Sequence, residues 1–213
     1  MSYDYVYKII LAGSVGVGKT SIIRKITTNE PFKPEQYCPT IGIEFISHIL
    51  DIDGKQIKCR IWDTAGQETY NSLINIYFRQ ITGAVLVFDG TEPNTLEDIE
   101  NIWIPQINNN NILSKPQMIL VENKSDLKRN IDQHRLNEII NKYNLLYVKT
   151  SVLHNTNTKN VLNHLCKHIY ENTGKDPYHL REKNISLGYK NIKDKPTANN
   201  YFDNRDKWCC RIC

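Results

Sequence analysis

Gly13-Ser14-Val15-Gly16-Val17-Gly18-Lys19-Thr20 joins an almost unbroken apolar run, Tyr5 to Ala12, to the helix-prone segment Lys19 to Thr27. Glycine, four residues, glycine, lysine and threonine, set between a strand and a helix, form a phosphate-loop pattern. Glycines let the backbone turn so that several N–H groups face phosphate oxygens. Lys19 then neutralises the β and γ phosphates, and the Thr20 hydroxyl is a ligand for Mg²⁺. This stretch alone leaves open whether the base is adenine or guanine, and whether the protein is a kinase or a switch.

Outward from the loop, strand and helix signals alternate. The apolar run at the start reads as a central parallel strand. Ile41 to Ile52 reads as a long strand, and Asp53-Gly54 as a tight turn into Lys55 to Asp63, where Ile57, Cys59 and Ile61 alternate with Lys58, Arg60 and Trp62. That hairpin has one buried and one wetter face and belongs at the sheet edge. Ala84 to Asp89, Gln117 to Glu122 and Leu145 to Thr150 supply three further strands. The expected fold is α/β, a six-stranded mostly parallel sheet with one antiparallel edge hairpin and helices on both faces. Val161, Leu165 and Ile169, with Leu162 beside them, give the last helix a covering face, while the run Asn108 to Asn111 is expected to be a surface loop. Residues 1–172 make one domain. From 173 to 213 apolar periodicity stops and a flexible tail is expected.

Composition agrees with one globular domain: 213 residues, 40% hydrophobic, formal charge +4. Acidic and basic residues are intermixed, so no nucleic-acid partner is expected. No apolar run reaches the ~20 residues of a membrane span, and Met1 to Lys8 lacks a secretory pattern, so residence in the cytoplasm is expected. Cys38, Cys59 and Cys166 stand singly and read as ordinary thiols in a reducing compartment. His164 and His168, four apart on the last helix with no third ligand in view, read as a solvated face rather than a zinc site.

Two further constellations carry chemistry. Asn123-Lys124-Ser125-Asp126 follows a strand at the edge where ligands approach such sheets. A carboxylate at Asp126 accepts both the ring N–H and the exocyclic amine of guanine, a donor pair adenine lacks, so GTP and GDP are the expected nucleotides. In Trp62-Asp63-Thr64-Ala65-Gly66-Gln67-Glu68, Asp63 is placed to hold Mg²⁺, Gly66 to bring its N–H to the γ phosphate, and Gln67 to orient the attacking water.

With these three motifs the chain resembles the Rab branch of the Ras-like small GTPases over roughly Tyr5 to Tyr170, and so the small-GTPase version of the phosphate-loop NTPase fold. The resemblance implies that Thr40, in Pro39-Thr40-Ile41-Gly42, reaches Mg²⁺ and senses the γ phosphate, and that Phe32 packs on guanine. It adds Ser21 and Tyr37 to the nucleotide site and Ser151-Val152-Leu153 as the last base-contacting loop. It implies that Phe45, Trp62 and Tyr77 face effectors. Catalysis would rest on Lys19, Thr40 and Gln67, with slow intrinsic hydrolysis raised by an activating protein. An exchange factor, effectors, an escort or GDP-dissociation inhibitor and a prenyltransferase are the implied partners of a monomer working in vesicle-mediated transport.

The terminal Cys209-Cys210-Arg211-Ile212-Cys213 resembles the doubly prenylated ends of that branch, implying a protein that cycles onto the cytosolic face of an intracellular membrane. Which two of Cys209, Cys210 and Cys213 carry lipid stays open. The chain departs from the family at Val15, where a smaller or polar residue is usual, at Glu122 in place of glycine, and at Ser151-Val152-Leu153 in place of Ser-Ala-Lys. Val15 motivates an alternative, a GTP-binding scaffold with little hydrolysis. A small-molecule kinase is the remaining alternative, and Asn123 to Asp126 speaks against it.

Overall fold

Neighbouring side chains of strand β1 (Tyr5–Ala12) enter different cores: Tyr7, Ile9 and Leu11 pack to one side of the sheet, Ile10 and Ala12 to the other. A strand apolar on both faces must be covered on both, and that alternation fixes a three-layer architecture. The computed structural model describes residues 3–28, 40, 42–64, 76–112 and 115–172. The chain divides into Met1–Leu180 and Arg181–Cys213, and all described residues lie in the first unit. The expected tail, with Cys209, Cys210 and Cys213, lies outside the described residues, as do Phe32, Tyr37, Gly66 and Gln67.

Six strands form one sheet in the order β2-β3-β1-β4-β5-β6. The others are β2 (Ile43–Ile52), β3 (Lys55–Thr64), β4 (Gly83–Asp89), β5 (Gln117–Asn123) and β6 (Leu146–Lys149). Among these described strands only the β2 and β3 pair runs antiparallel. Its turn carries positive φ at both Asp53 (52°) and Gly54 (77°), the mirror-image turn that matches strand twist. The hairpin stands at the edge, as expected.

Helices α1 (Lys19–Thr28) and α5 (Thr158–Asn172) cover one face with Ile22, Ile23, Val161, Leu165 and Ile169. On the other face lie α2 (Pro93–Asp98), α3 (Ile104–Asn110) and α4 (Gln133–Tyr143). A π-helical turn, Ile99–Trp103, joins α2 to α3, and the Ile104 N–H bonds back to the Ile99 carbonyl. Pro105 follows immediately and has no N–H to continue the ladder, so the wider turn sits where a regular helix would clash with its ring. At the start of α4 the Asp132 side chain accepts from the His134 N–H, capping the helix.

One expectation needs correction. Asn108 to Asn110 belong to α3, and Asn111 is buried rather than in a surface loop. Asn111 Nδ2 donates to the carbonyls of Phe78 (2.7 Å) and Ile107 (2.8 Å), and its Oδ1 accepts from the Ile81 N–H at 3.1 Å. A polar run reads as solvent-seeking, but its last member satisfies the backbone of the segment entering β4. Cys38 lies outside the described residues. Cys59 and Cys166 are ordinary free thiols, as expected, but they meet: 107 residues apart in sequence, both are buried with sulfurs 3.4 Å apart. One sits on β3 and the other on α5, so only packing of helix on sheet brings them together.

Candidate nucleotide site

The phosphate loop leaves the carboxyl end of β1, and parallel pairing brings the ends of β3, β4, β5 and β6 alongside. Two glycines are required by close approach. A Cβ on Gly13, whose φ is +143°, would lie 2.1 Å from the Val87 carbonyl oxygen; one on Gly18, at +100°, would lie 2.3 Å from Asn123 Nδ2. The backbone thus fits between β4 and the loop after β5 only without side chains. Lys19 is buried, and its ammonium donates to the carbonyls of Gly13 (2.7 Å) and Ser14 (2.9 Å), folding back over the loop. Val17 is in the core, whereas Val15 is 55% exposed. Ser14 is anchored sideways, its hydroxyl donating to Asp98 Oδ2 of α2 at 2.6 Å. Ser21 follows in the first turn of α1.

Register places Asp63 opposite Leu11, two residues before the loop begins. There the Thr20 hydroxyl donates to Asp63 Oδ2 at 2.5 Å and lies 2.6 Å from the Thr40 hydroxyl. Asp63 Oδ1 is buried without a hydrogen-bond partner among the described residues. Burial pushes the Asp63 carboxyl up from its ordinary range, against the opposing pull of the Thr20 hydroxyl and the Lys19 charge. Two hydroxyls and a carboxylate, one of whose oxygens is orphaned, form a hard-oxygen donor set suited to Mg²⁺.

The loop after β5 is held from several sides. Asn123 Nδ2 donates to the Val17 carbonyl at 2.8 Å, and its Oδ1 accepts from the Thr150 hydroxyl at 3.1 Å. Ser151 donates its hydroxyl to Asp126 Oδ1 at 2.5 Å, fixing one oxygen of the carboxylate expected to read the base. The Ser151 Oγ in turn accepts from the His154 N–H, so the turn through Val152 and Leu153 closes over the loop; Val152 is buried and Leu153 exposed.

Asp89 was not singled out from the sequence. It ends β4 beside Asn123 in the sheet, and its Oδ2 lies 2.5 Å from the Lys124 ammonium. Burial alone would raise its carboxyl; Lys124 and the N–H and hydroxyl of Thr91 outweigh that and hold it below the ordinary range. The available signal was a charged residue closing an apolar strand at the ligand edge. Asp98, the partner of Ser14, gave no such signal.

Away from the nucleotide loops, Phe45, Trp62 and Tyr77 do meet. Phe45 and Trp62 are cross-strand partners with ring centroids 4.9 Å apart, and Trp62 to Tyr77 is 4.8 Å. Phe45 is 49% exposed, while Trp62 and Tyr77 pack partly against the second core.

A sequence model of the Ras family matches residues 8–171. The chain is 37% identical over 188 residues to the Ras-related protein YPTC6 of Chlamydomonas reinhardtii, covering 87% of this chain and 85% of that one. It is 38% identical over 173 residues to Rab-11A of Dictyostelium discoideum, covering 79% and 78%, respectively. With RABA1c of Arabidopsis thaliana it shares 34% over 195 residues, covering 90% and 88%. Matches of this extent, on a sheet whose ligand edge carries these loops, mean that the chain belongs to the Ras family as a Rab-type small GTPase, a GTP hydrolase that binds GTP and GDP with Mg²⁺.

Proposed function

We propose that this protein is a membrane-trafficking switch whose GTP and GDP states differ at Thr40. The observation that carries the reading is the meeting of Thr20, Thr40 and Asp63, three oxygen donors from separate segments, beside the unpartnered Asp63 Oδ1. These three would hold Mg²⁺, which when bound supplies charge neutralisation at the β and γ phosphates. Lys19 and the N–H groups of Gly13 to Thr20, with Ser21, hold the phosphates, and Gly66 approaches the γ phosphate. Gln67 orients the attacking water, and no covalent intermediate forms; phosphoryl transfer of this kind rests on positioning and charge. Asp126 selects guanine, supported by Asn123, Lys124, Phe32, Tyr37 and the turn Ser151 to Leu153. Once the γ phosphate leaves, Thr40 loses its reason to stay against Thr20 and the segment relaxes.

Phe45, Trp62 and Tyr77 present the surface that GTP-state effectors recognise. Two of Cys209, Cys210 and Cys213 carry prenyl groups added by a prenyltransferase, since two chains hold a protein on a bilayer where one holds it only marginally. A dissociation inhibitor then shields the lipid when the monomer leaves the cytosolic face. Among the described residues no helix is long and apolar enough to cross a membrane.

A second reading rests on Val15, a branched side chain standing out from the phosphate loop. It makes the protein a scaffold that keeps GTP. Single-turnover hydrolysis, with Mg²⁺ and with Mg²⁺ chelated, for wild type and Val15→Gly, decides between the two. A switch hydrolyses GTP slowly, only with Mg²⁺, and prefers GTP to ATP; a scaffold gains rate only with Val15→Gly. Equal affinity for ATP overturns both.

A further inference from the structure

Glu122 precedes Asn123 at the end of β5 and is 2% exposed. A carboxylate so deep needs partners, and it has them on every side. Arg129 donates Nε to Oε1 at 2.8 Å and NH2 to Oε2 at 3.2 Å, a fork-to-fork pair. The Tyr147 hydroxyl of β6 donates to Oε2 at 2.5 Å, and the Lys149 ammonium lies 3.8 Å from Oε1. Arg129 spends NH1 on the Ile131 carbonyl at 3.0 Å. Burial first, then the hydrogen bond to Glu122 and its charge, raise the Tyr147 hydroxyl above its ordinary range, so it stays a donor.

The room for this carboxylate comes from Gly90. A Cβ there would lie 3.2 Å from Glu122 Cγ and 3.3 Å from its Oε1. Gly90 also donates its N–H to the Asn123 carbonyl at 2.9 Å and accepts from the Asn130 N–H at 2.8 Å.

Residues 122 and 129 bracket one loop, and between them lie Asn123, Lys124 and Asp126. The ion pair closes that loop at its base, while Ser125 N–H to the Thr150 carbonyl, at 3.0 Å, pins its middle. A short segment tied at both ends has few conformations to lose when a ligand arrives. Neither Glu122 nor Arg129 belongs to the set that meets the nucleotide; both are fastened behind it.

We infer that Glu122 and Arg129 are positioning residues that pre-set the guanine-selecting loop, and thereby govern how long guanine nucleotide stays bound and how sharply the exocyclic amine is read. The inference rests on the proposed base-reading role of Asp126. Inosine diphosphate, which lacks that amine, separates reading of the base from general loosening of the site.

The test measures release of fluorescent GDP and IDP from the full chain with Mg²⁺, for wild type, Glu122→Gln, Arg129→Lys and the double variant Glu122→Gln/Arg129→Gln. Glu122→Gln should release GDP about tenfold faster, the scale on which supporting partners tune a binding group. IDP release should change less, so the preference for GDP narrows. Arg129→Lys keeps the charge but loses the fork and should fall between wild type and Glu122→Gln. The double variant should be no worse than Glu122→Gln, because the two act as one unit. If Glu122→Gln does not fold, Arg129→Lys carries the comparison. GDP release within twofold of wild type in the variants, or equal acceleration of GDP and IDP, overturns the inference. A wild type that prefers GDP to IDP while the variants match it sinks this inference alone; one that binds neither sinks the guanine reading with it.

Discussion

Asn123 and Val17 join the two halves of the nucleotide site by one bond, the side-chain amide of the first donating to the carbonyl of the second over 2.8 Å. One closes β5 just before the loop proposed to read the base and the other lies in the loop proposed to hold phosphate, 106 residues apart in sequence. A nucleotide is therefore met by parts already fixed in relation to one another, which is where preorganised affinity comes from.

From that contact follows an asymmetry among the glycines. Gly18→Ala places a methyl 2.3 Å from Asn123 Nδ2, at a φ of +100° that side chains rarely adopt. Gly16→Ala meets nothing within 4 Å, although its φ of +77° still carries a backbone penalty. GDP affinity by fluorescence titration should fall at least about 100-fold for Gly18→Ala, an affinity loss of about 3 kcal/mol, and much less for Gly16→Ala. Equal losses would mean that backbone strain, not the Asn123 contact, is what matters.

The three aromatics should separate in their effects on stability. Trp62 is sandwiched between Phe45 and Tyr77 and packs partly on the second core, whereas Phe45 is half in solvent. Trp62→Ala should cost about 2–3 kcal/mol in urea unfolding of the GDP-bound protein, below the loss for a fully buried tryptophan. Phe45→Ala should stay below about 1 kcal/mol, the scale of one cross-strand pair. If Phe45→Ala costs as much as Trp62→Ala, Phe45 is a core residue and not an available contact.

Between α2 and α4 an acidic pair depends on pH. Arg135 grips Glu97 with Nε at 2.8 Å and NH2 at 2.7 Å and also pairs with Glu100, which takes Lys142 at 2.8 Å and the Tyr143 hydroxyl at 3.2 Å. The Arg135 guanidinium holds the Glu97 carboxyl below its ordinary value, and Lys142, then Arg135, do the same for Glu100. Both folded pKa values lie below the unfolded reference of 4.5, so the stabilisation is complete above that pH and disappears as pH falls through the folded values. Arg135→Ala should lower the melting midpoint at pH 7 by about 2–4 °C, with the gap to wild type closing below about pH 4.5. A gap that persists unchanged at pH 3 would assign the loss to packing of the arginine stem.

What could be read from the chain alone was whatever depends on local spacing. The strands β1, β3 and β4, the Asp53-Gly54 turn and the three loop motifs each carry their signal within a few residues. What could not be read depends on pairs separated widely in sequence or by layers. Cys59 finds Cys166 only when α5 is laid on the sheet, and Asn111 looks like the polar end of a polar run until Phe78 and Ile81 arrive beside it. Glu122 reads as a departure from glycine; its compensation at Gly90 and Arg129 emerges only when β4 and β5 lie side by side. Pro105 within α3 was invisible for another reason: a π-helical turn absorbs it, and the apolar pattern gives no warning of that adjustment.

The central place of β1 in the sheet has a consequence for biogenesis. Its partners are β3 and β4, so this strand has no neighbour until Lys55–Thr64 has been made, and its second edge stays open until Gly83–Asp89 has followed. At synthesis rates of about 5–20 residues per second its edges wait several seconds for their partners, the β4-facing edge longer than the β3-facing one. Such non-local pairing slows folding and leaves nascent chains prone to aggregate, so chaperone cover during translation matters more here than for a protein that begins with a hairpin.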